Sequence, residues 1–261
     1  MSHLWVDSHC HLNLFSEHEV NDLVDQAVSS GVYRMLCVGT ESTNSQTALA
    51  IAHKHESVFA SVGLHPCEAN FGFDHHLEKI TSMLTDKSIV AIGETGLDYY
   101  HQDNLNKDRQ AESFVQQISL AKSHKKPLVI HTRSSFEDTC ALLKTHAADE
   151  VGGVFHCFSG TKEEAFKVLD LGFYISFSGI LTFKNAPELR ECAKALPRDR
   201  VLIETDAPYL SPVPYRSKPN RPEWVIKVAE TLAELWSLPL EVLSDQIKSN
   251  ADDLLGWDCV V

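Results

Sequence analysis

Eight short apolar runs punctuate this chain, at residues 4–9, 33–38, 58–64, 89–94, 128–131, 153–156, 173–177 and 201–205, with helix-like stretches between them. A strand that feeds a helix and returns to a strand builds a parallel sheet. Eight such units make a (β/α)8 TIM barrel of the α/β class, which takes about 250 residues. The 261 residues here fit one such domain, and no linker or low-complexity tract divides them. A doubly wound open sheet shows the same alternation, but normally with a glycine-rich phosphate turn, and none occurs here. Helix boundaries are written locally: Ser16 with Glu19 and Thr161 with Glu164 have capping-box spacing, while Gly31 and Gly172 stand where helices should end. The eighth run leads into a proline-rich loop, 207–222, and then into helix-like stretches at 223–236 and 240–249.

Apolar residues make up 43% and charged residues 23%, enough to bury a core and too balanced for a disordered tail or a fibre. The net charge of −13 argues against broad coating of nucleic acid or an anionic membrane, so a polyanion would have to be met by a local field. No run approaches the ~18 apolar residues of a membrane span, and residues 1–7 lack the basic start and apolar stretch of a secretory signal. Cys10, Cys37, Cys67, Cys140, Cys157, Cys192 and Cys259 are odd in number and form no C-x-x-C pair, so they read as reduced thiols. A cytoplasmic protein is expected. Of the 14 histidines, His53, His55, His75, His76, His124 and His146 fall in polar helix-like stretches and are expected at the surface.

In a parallel barrel, functional residues gather where strands end and the following loops begin. The first run closes in Asp7-Ser8-His9-Cys10-His11, and the period of two along a strand puts His9 and His11 on one side. The fourth run ends in Glu94, the fifth in His131, the sixth in His156, and Asp206 follows the eighth. Imidazoles and carboxylates without thiolate suit a hydrolytic centre for divalent ions rather than a closed structural zinc site. Glu94 lies opposite the His9/His11 pair in strand order, so it is the expected bridge between two ions, the arrangement that polarises a phosphoryl oxygen and activates water.

The segments Asp7-Ser8-His9-Cys10-His11, Gly93-Glu94-Thr95-Gly96-Leu97-Asp98-Tyr99, His131-Thr132-Arg133, His156-Cys157-Phe158-Ser159-Gly160 and Glu204-Thr205-Asp206-Ala207-Pro208-Tyr209-Leu210 occur in that order across the chain. Together they resemble the successive motifs of the TatD-type metal-dependent deoxyribonucleases. The resemblance implies a barrel of the metallo-dependent hydrolase superfamily that hydrolyses DNA with two divalent ions, whether magnesium, manganese or zinc. It implies His9, His11, Glu94, His131, His156 and Asp206 as ligands, with Glu94 and Asp206 catalytic and Asp206 orienting or deprotonating the attacking water. His65, in a further matching segment, is implied to face the substrate, its plain alternative being a loop histidine bonded to backbone. Asp98 is read as an acceptor behind a ligand histidine or as a helix N-cap, and Arg133 as a phosphate contact or a surface ion pair. Arg216 and Lys218 lie in a basic loop, 215–222, that resembles the family's loop after strand eight and is read as gripping phosphate or merely solvated. The family usually has glycine where Ser217 stands and a basic residue where Pro219 stands.

The expected partner is a DNA strand end, since a metal pit at a barrel mouth admits a terminus more easily than a duplex middle, and exonucleolytic action is what the resemblance implies. A cyclic amidohydrolase or aminoacyl-ester hydrolase could use the same barrel and donors, though two-metal amidohydrolases often carry a modified lysine at the strand-four position held here by Glu94. A non-catalytic nucleic-acid-binding protein that keeps metal for stability is the third reading.

Overall fold

The protein is seen in a computed structural model that describes residues 4–69, 73–100 and 106–257. Strands and helices alternate as β1 (Trp5–Cys10), α1 (Glu17–Ser29), β2 (Val32–Val38), α2 (Ser42–Lys54), β3 (Val58–Val62), α3 (Phe73–Met83), β4 (Ile89–Asp98), α4 (Lys107–His124), β5 (Leu128–Arg133), α5 (Phe136–Thr145), β6 (Gly153–Phe155), α6 (Lys162–Asp170), β7 (Tyr174–Phe177), α7 (Pro187–Ala195), β8 (Val201–Ile203), α8 (Val225–Trp236) and α9 (Leu240–Leu255). All eight strands pair parallel, in sequence order, in one sheet. Their side chains are buried almost throughout, as expected of a sheet covered by helices. The two capping boxes form as the spacing predicts. Gly31 and Gly172 take φ of 97° and 82°, open to residues without a Cβ.

The barrel closes without a ladder between β8 and β1 among the described residues. The seam is stitched by side chains and loop backbone instead. The buried Asp7 carboxylate accepts from the Thr205 N–H at 2.8 Å and from its hydroxyl at 2.5 Å. The Ser8 hydroxyl donates to the Ile203 carbonyl at 3.0 Å. Past the strand ends, the Asp206 N–H donates to the His9 carbonyl at 2.9 Å and the His11 N–H to the Ala207 carbonyl at 2.7 Å.

One boundary differs from the sequence expectation in a way that matters. Glu94 does not end β4, which runs on to Asp98. Pairing with β5 breaks between Ile92 and Thr95 and resumes through Asp98 opposite Arg133. Close approach of three strands accompanies the break: a Cβ on Gly63 would lie 2.5 Å from the Gly93 carbonyl carbon, and one on Gly93 would lie 2.5 Å from the Val129 carbonyl oxygen. From the outside, Gln110 of α4 clamps Asp98, its amide oxygen accepting from the Asp98 N–H and its NH2 donating to the Asp98 carbonyl, both at 2.9 Å. Neither the bulged strand nor a buried glutamine has a periodic signature.

Candidate metal centre

His9 and His11 leave β1 with their Nε2 atoms 3.2 Å apart. Asp206, in the left-handed region at φ 59° just past β8, brings Oδ1 within 3.6 Å of the His9 Nε2 and 3.4 Å of the His11 Nε2. Glu94 presents Oε2 to the same two nitrogens at 3.7 Å each. Ligand atoms ~2.0–2.2 Å from a shared tetrahedral ion lie roughly 3.3–3.6 Å apart, so the His9, His11 and Asp206 atoms are spaced close to three corners of such a polyhedron, with the Glu94 oxygen slightly farther from both imidazoles. The other Glu94 oxygen, Oε1, faces a second group: His131 Nδ1 and His156 Nε2 are each 2.9 Å away, and those nitrogens are 3.4 Å from each other. The two groups touch, because the His9 and His156 rings stack with centroids 4.0 Å apart.

The far side of each ring fixes which nitrogen is available. His11 Nδ1 donates to the Val38 carbonyl at 3.1 Å, His131 Nε2 to Asp98 Oδ2 at 3.0 Å, and His156 Nδ1 to Glu204 Oε1 at 3.3 Å. Each ring thereby leaves its other nitrogen facing Glu94, the one a metal ion would take on displacing its proton, and this is the usual arrangement behind a metal-binding histidine. Asp98 is thus the acceptor behind His131, and it also receives the Tyr100 N–H; the N-cap of α4 is Asn106. His65 differs. Its Nδ1 accepts the Cys67 N–H at 3.2 Å, which leaves a proton on Nε2, 3.5 Å from Glu94 Oε1. That ring is a hydrogen-bond donor toward the centre, and the backbone bond expected of a loop histidine is formed.

Electrostatics follow from crowding these groups in a buried space. Burial lowers His65 to about 3 and, with the facing His156, holds His9 well below the ordinary imidazole range. Burial would raise the Glu94 carboxyl, but the surrounding His156 and His65 outweigh it and keep it ionised. His156 resists burial through Glu94 and Glu204 and is held well above its ordinary value. Glu204 itself is raised by burial. It is a residue the sequence reading passed over, although its place two residues before Asp206 was a usable signal.

The centre opens on a cleft of about 470 Å³ lined by His131, Arg133, His156, Cys157, Asp206 and Tyr209. Arg133 is exposed and lies 3.6 Å over the Tyr100 ring. Arg216 and Lys218 are not among the cleft-lining residues. Arg216 stacks 3.6 Å over Phe183, and Lys218 borders a separate groove with Phe15, Glu19 and Asp22 of the α1 side. In the same loop, Arg221 pairs with Glu223 at 2.9 Å. The six histidines assigned to polar stretches are exposed or half-buried, and His53 pairs with Asp86 at 2.9 Å. The six described cysteines are free; Cys259 lies outside the described residues.

A parallel eight-stranded barrel with histidines and carboxylates converging toward the C-terminal ends of its strands is the architecture of the metallo-dependent hydrolases. The model of the family described as TatD related DNase matches residues 6–256, and the chain belongs to the TatD family of metal-dependent hydrolases. It is 41% identical over 257 residues to the uncharacterized metal-dependent hydrolase YcfH of Escherichia coli K12, covering 97% of this chain and 96% of that one. It is 39% identical over 249 residues to YabD of Bacillus subtilis, an uncharacterized metal-dependent hydrolase, covering 95% and 97%. Among solved structures, the TatD homolog YJJV of Escherichia coli K12 superposes with a TM-score of 0.92 at 30% identity, covering 98% of this chain and 99% of that one. No helix among the described residues is long and apolar enough to cross a membrane.

Proposed function

We propose that this hydrolase cleaves DNA phosphodiester bonds, working from a strand end, with two divalent ions held by His9, His11, Asp206 and Glu94 on one side and by Glu94, His131 and His156 on the other. The observation that carries the reading is Glu94 itself, a buried carboxylate whose two oxygens each face a separate donor group. Divalent ions held there supply Lewis acidity at a phosphoryl oxygen and acidify water near neutral pH. Asp206, at the edge of the cleft, orients that water and accepts its proton. His65 donates its Nε2 proton to a substrate oxygen, and Arg133 at the mouth meets phosphate with a planar fork. Asp98 and Glu204 hold the His131 and His156 rings in place. Bound ions contribute about +4 at the point of contact, which outweighs distant carboxylates under ~8–10 Å screening, so the −13 net charge does not bar a polyanion. The reading is tested by digesting end-labelled single- and double-stranded DNA with and without Mg2+, Mn2+ or Zn2+, alongside amide and aminoacyl-ester substrates. Metal-dependent shortening from one labelled end is expected. Turnover of an amide or ester with intact DNA would replace the nuclease reading, and binding without product would leave a nucleic-acid-binding protein.

A further inference from the structure

The cleft over the metal donors does not stop at Arg133. It continues, through shared lining residues Thr132, Arg133, Cys157 and Ser159, into a second lobe of about 570 Å³ between the loops that follow β5 and β6, reaching Lys107 at the start of α4. Charges in this lobe are unevenly engaged. Its three carboxylates are turned to partners of their own: Glu137 is neutralised by Lys167 at 2.7 Å, while Glu164 accepts the Thr161 N–H at 2.7 Å and Asp138 the Tyr99 hydroxyl, both keeping their charge. Its two cations have no ion pair among the described residues and lie on aromatic faces, Lys107 4.0 Å over Tyr99 and Arg133 3.6 Å over Tyr100. A cation resting on a ring is held in position without being neutralised, so its charge remains available to an anion. Exposed Ser134 and Ser159 add hydroxyls to the same lining.

We infer that this lobe is a second phosphate site, next to the metal centre, that takes the neighbouring phosphate of the substrate strand on Lys107 and Arg133. The inference rests on the nuclease reading and adds a direction to it: the strand leaves the metal centre toward α4 and α5, with Arg133 contacting both phosphates and Lys107 only the second. The test is equilibrium binding to the metal-loaded protein of deoxythymidine 3′,5′-bisphosphate, which has two phosphates at strand spacing and no diester to cut, against the 3′- and 5′-monophosphates. The bisphosphate should bind at least about tenfold tighter than either monophosphate. Lys107→Ala, at an exposed position, should remove most of that gain, and should weaken the bisphosphate more than the monophosphates. Equal affinity for bisphosphate and monophosphate, or a gain that survives Lys107→Ala, would overturn the second site. Digestion of end-labelled DNA by the same preparation separates the two readings. Cleavage without bisphosphate preference refutes the lobe alone, and bisphosphate preference without cleavage refutes the nuclease and keeps the lobe.

Discussion

Glu94 and Asp7 are both buried carboxylates, and their surroundings assign them opposite fates. Glu94 is ringed by imidazoles and stays charged, which suits it to the proposed role between two ions. Glu94→Gln keeps the shape and removes the charge, so it should reduce bound metal and lower hydrolysis by about a thousandfold or more, several kcal/mol of transition-state stabilisation. Elemental analysis beside a rate assay checks this; a folded variant with near-normal turnover would remove Glu94 from the centre. Asp7 has Thr205 and the His9 N–H as hydrogen-bond partners and no cation to hold its charge, and burial, with the neighbouring Glu204 adding to it, pushes its carboxyl from the ordinary 3.8 to about 8. The unfolded chain releases this proton near pH 4 while the folded chain keeps it until about 8, so stability from Asp7 is fully present below pH 4 and is lost as pH rises through that window. The slope from this group approaches about 1.4 kcal/mol per pH unit. Asp7→Asn should flatten the decline, as read from urea midpoints between pH 5 and 8; an unaltered profile would show that Asp7 is ionised in the fold.

The ladder of eight strands was legible because each apolar run is bounded by residues with a local reason to stop, such as the capping boxes at Ser16 and Thr161. The converging histidines were legible for a related reason, since they sit in or just past those runs. What periodicity could not carry is long-range: the register break that puts Glu94 inside β4, the Gln110 clamp 12 residues along the chain, and the proton donated by His156 to Glu204. At β4 the consequence is testable. Gly93→Ala would force a Cβ within 2.5 Å of the Val129 carbonyl oxygen, and backbone has nowhere to go. A loss of about 1–3 kcal/mol in unfolding free energy is expected, and an unchanged denaturation midpoint with full activity would show that the sheet yields there. The basic loop after β8 was legible only as composition, which cannot say where a cation points. With Arg216 on Phe183 and Lys218 beside α1, neither lines the cleft. Arg133→Ala should flatten the salt dependence of DNA binding by about 0.7–0.9 log units per log unit, and the Arg216→Ala/Lys218→Ala double variant by less. A steeper loss from the double variant would return the phosphate grip to the loop.

For the molecule as a whole, the donor groups crowd charge and ring nitrogens into one buried space, and cations bound there favour the folded chain over the unfolded one. At a hundredfold excess over the dissociation constant, a single bound ion contributes about 2.7 kcal/mol, which for a domain of this size raises the melting temperature by roughly 5–10 °C. Chelation should lower the melting temperature by that amount and re-addition restore it; a melting curve indifferent to chelator would mean that the donors hold no ion in solution. The seam adds a consequence in time. His9 and His11 leave the first strand, Asp206 follows the last, and hydrogen bonds between those two ends close the barrel beneath them. A ribosome must therefore deliver all eight strands before His9 and His11 can meet Asp206. Hydrolytic power arrives only with the completed ring, so a half-made or misassembled copy carries most of the chemistry and can perform none of it.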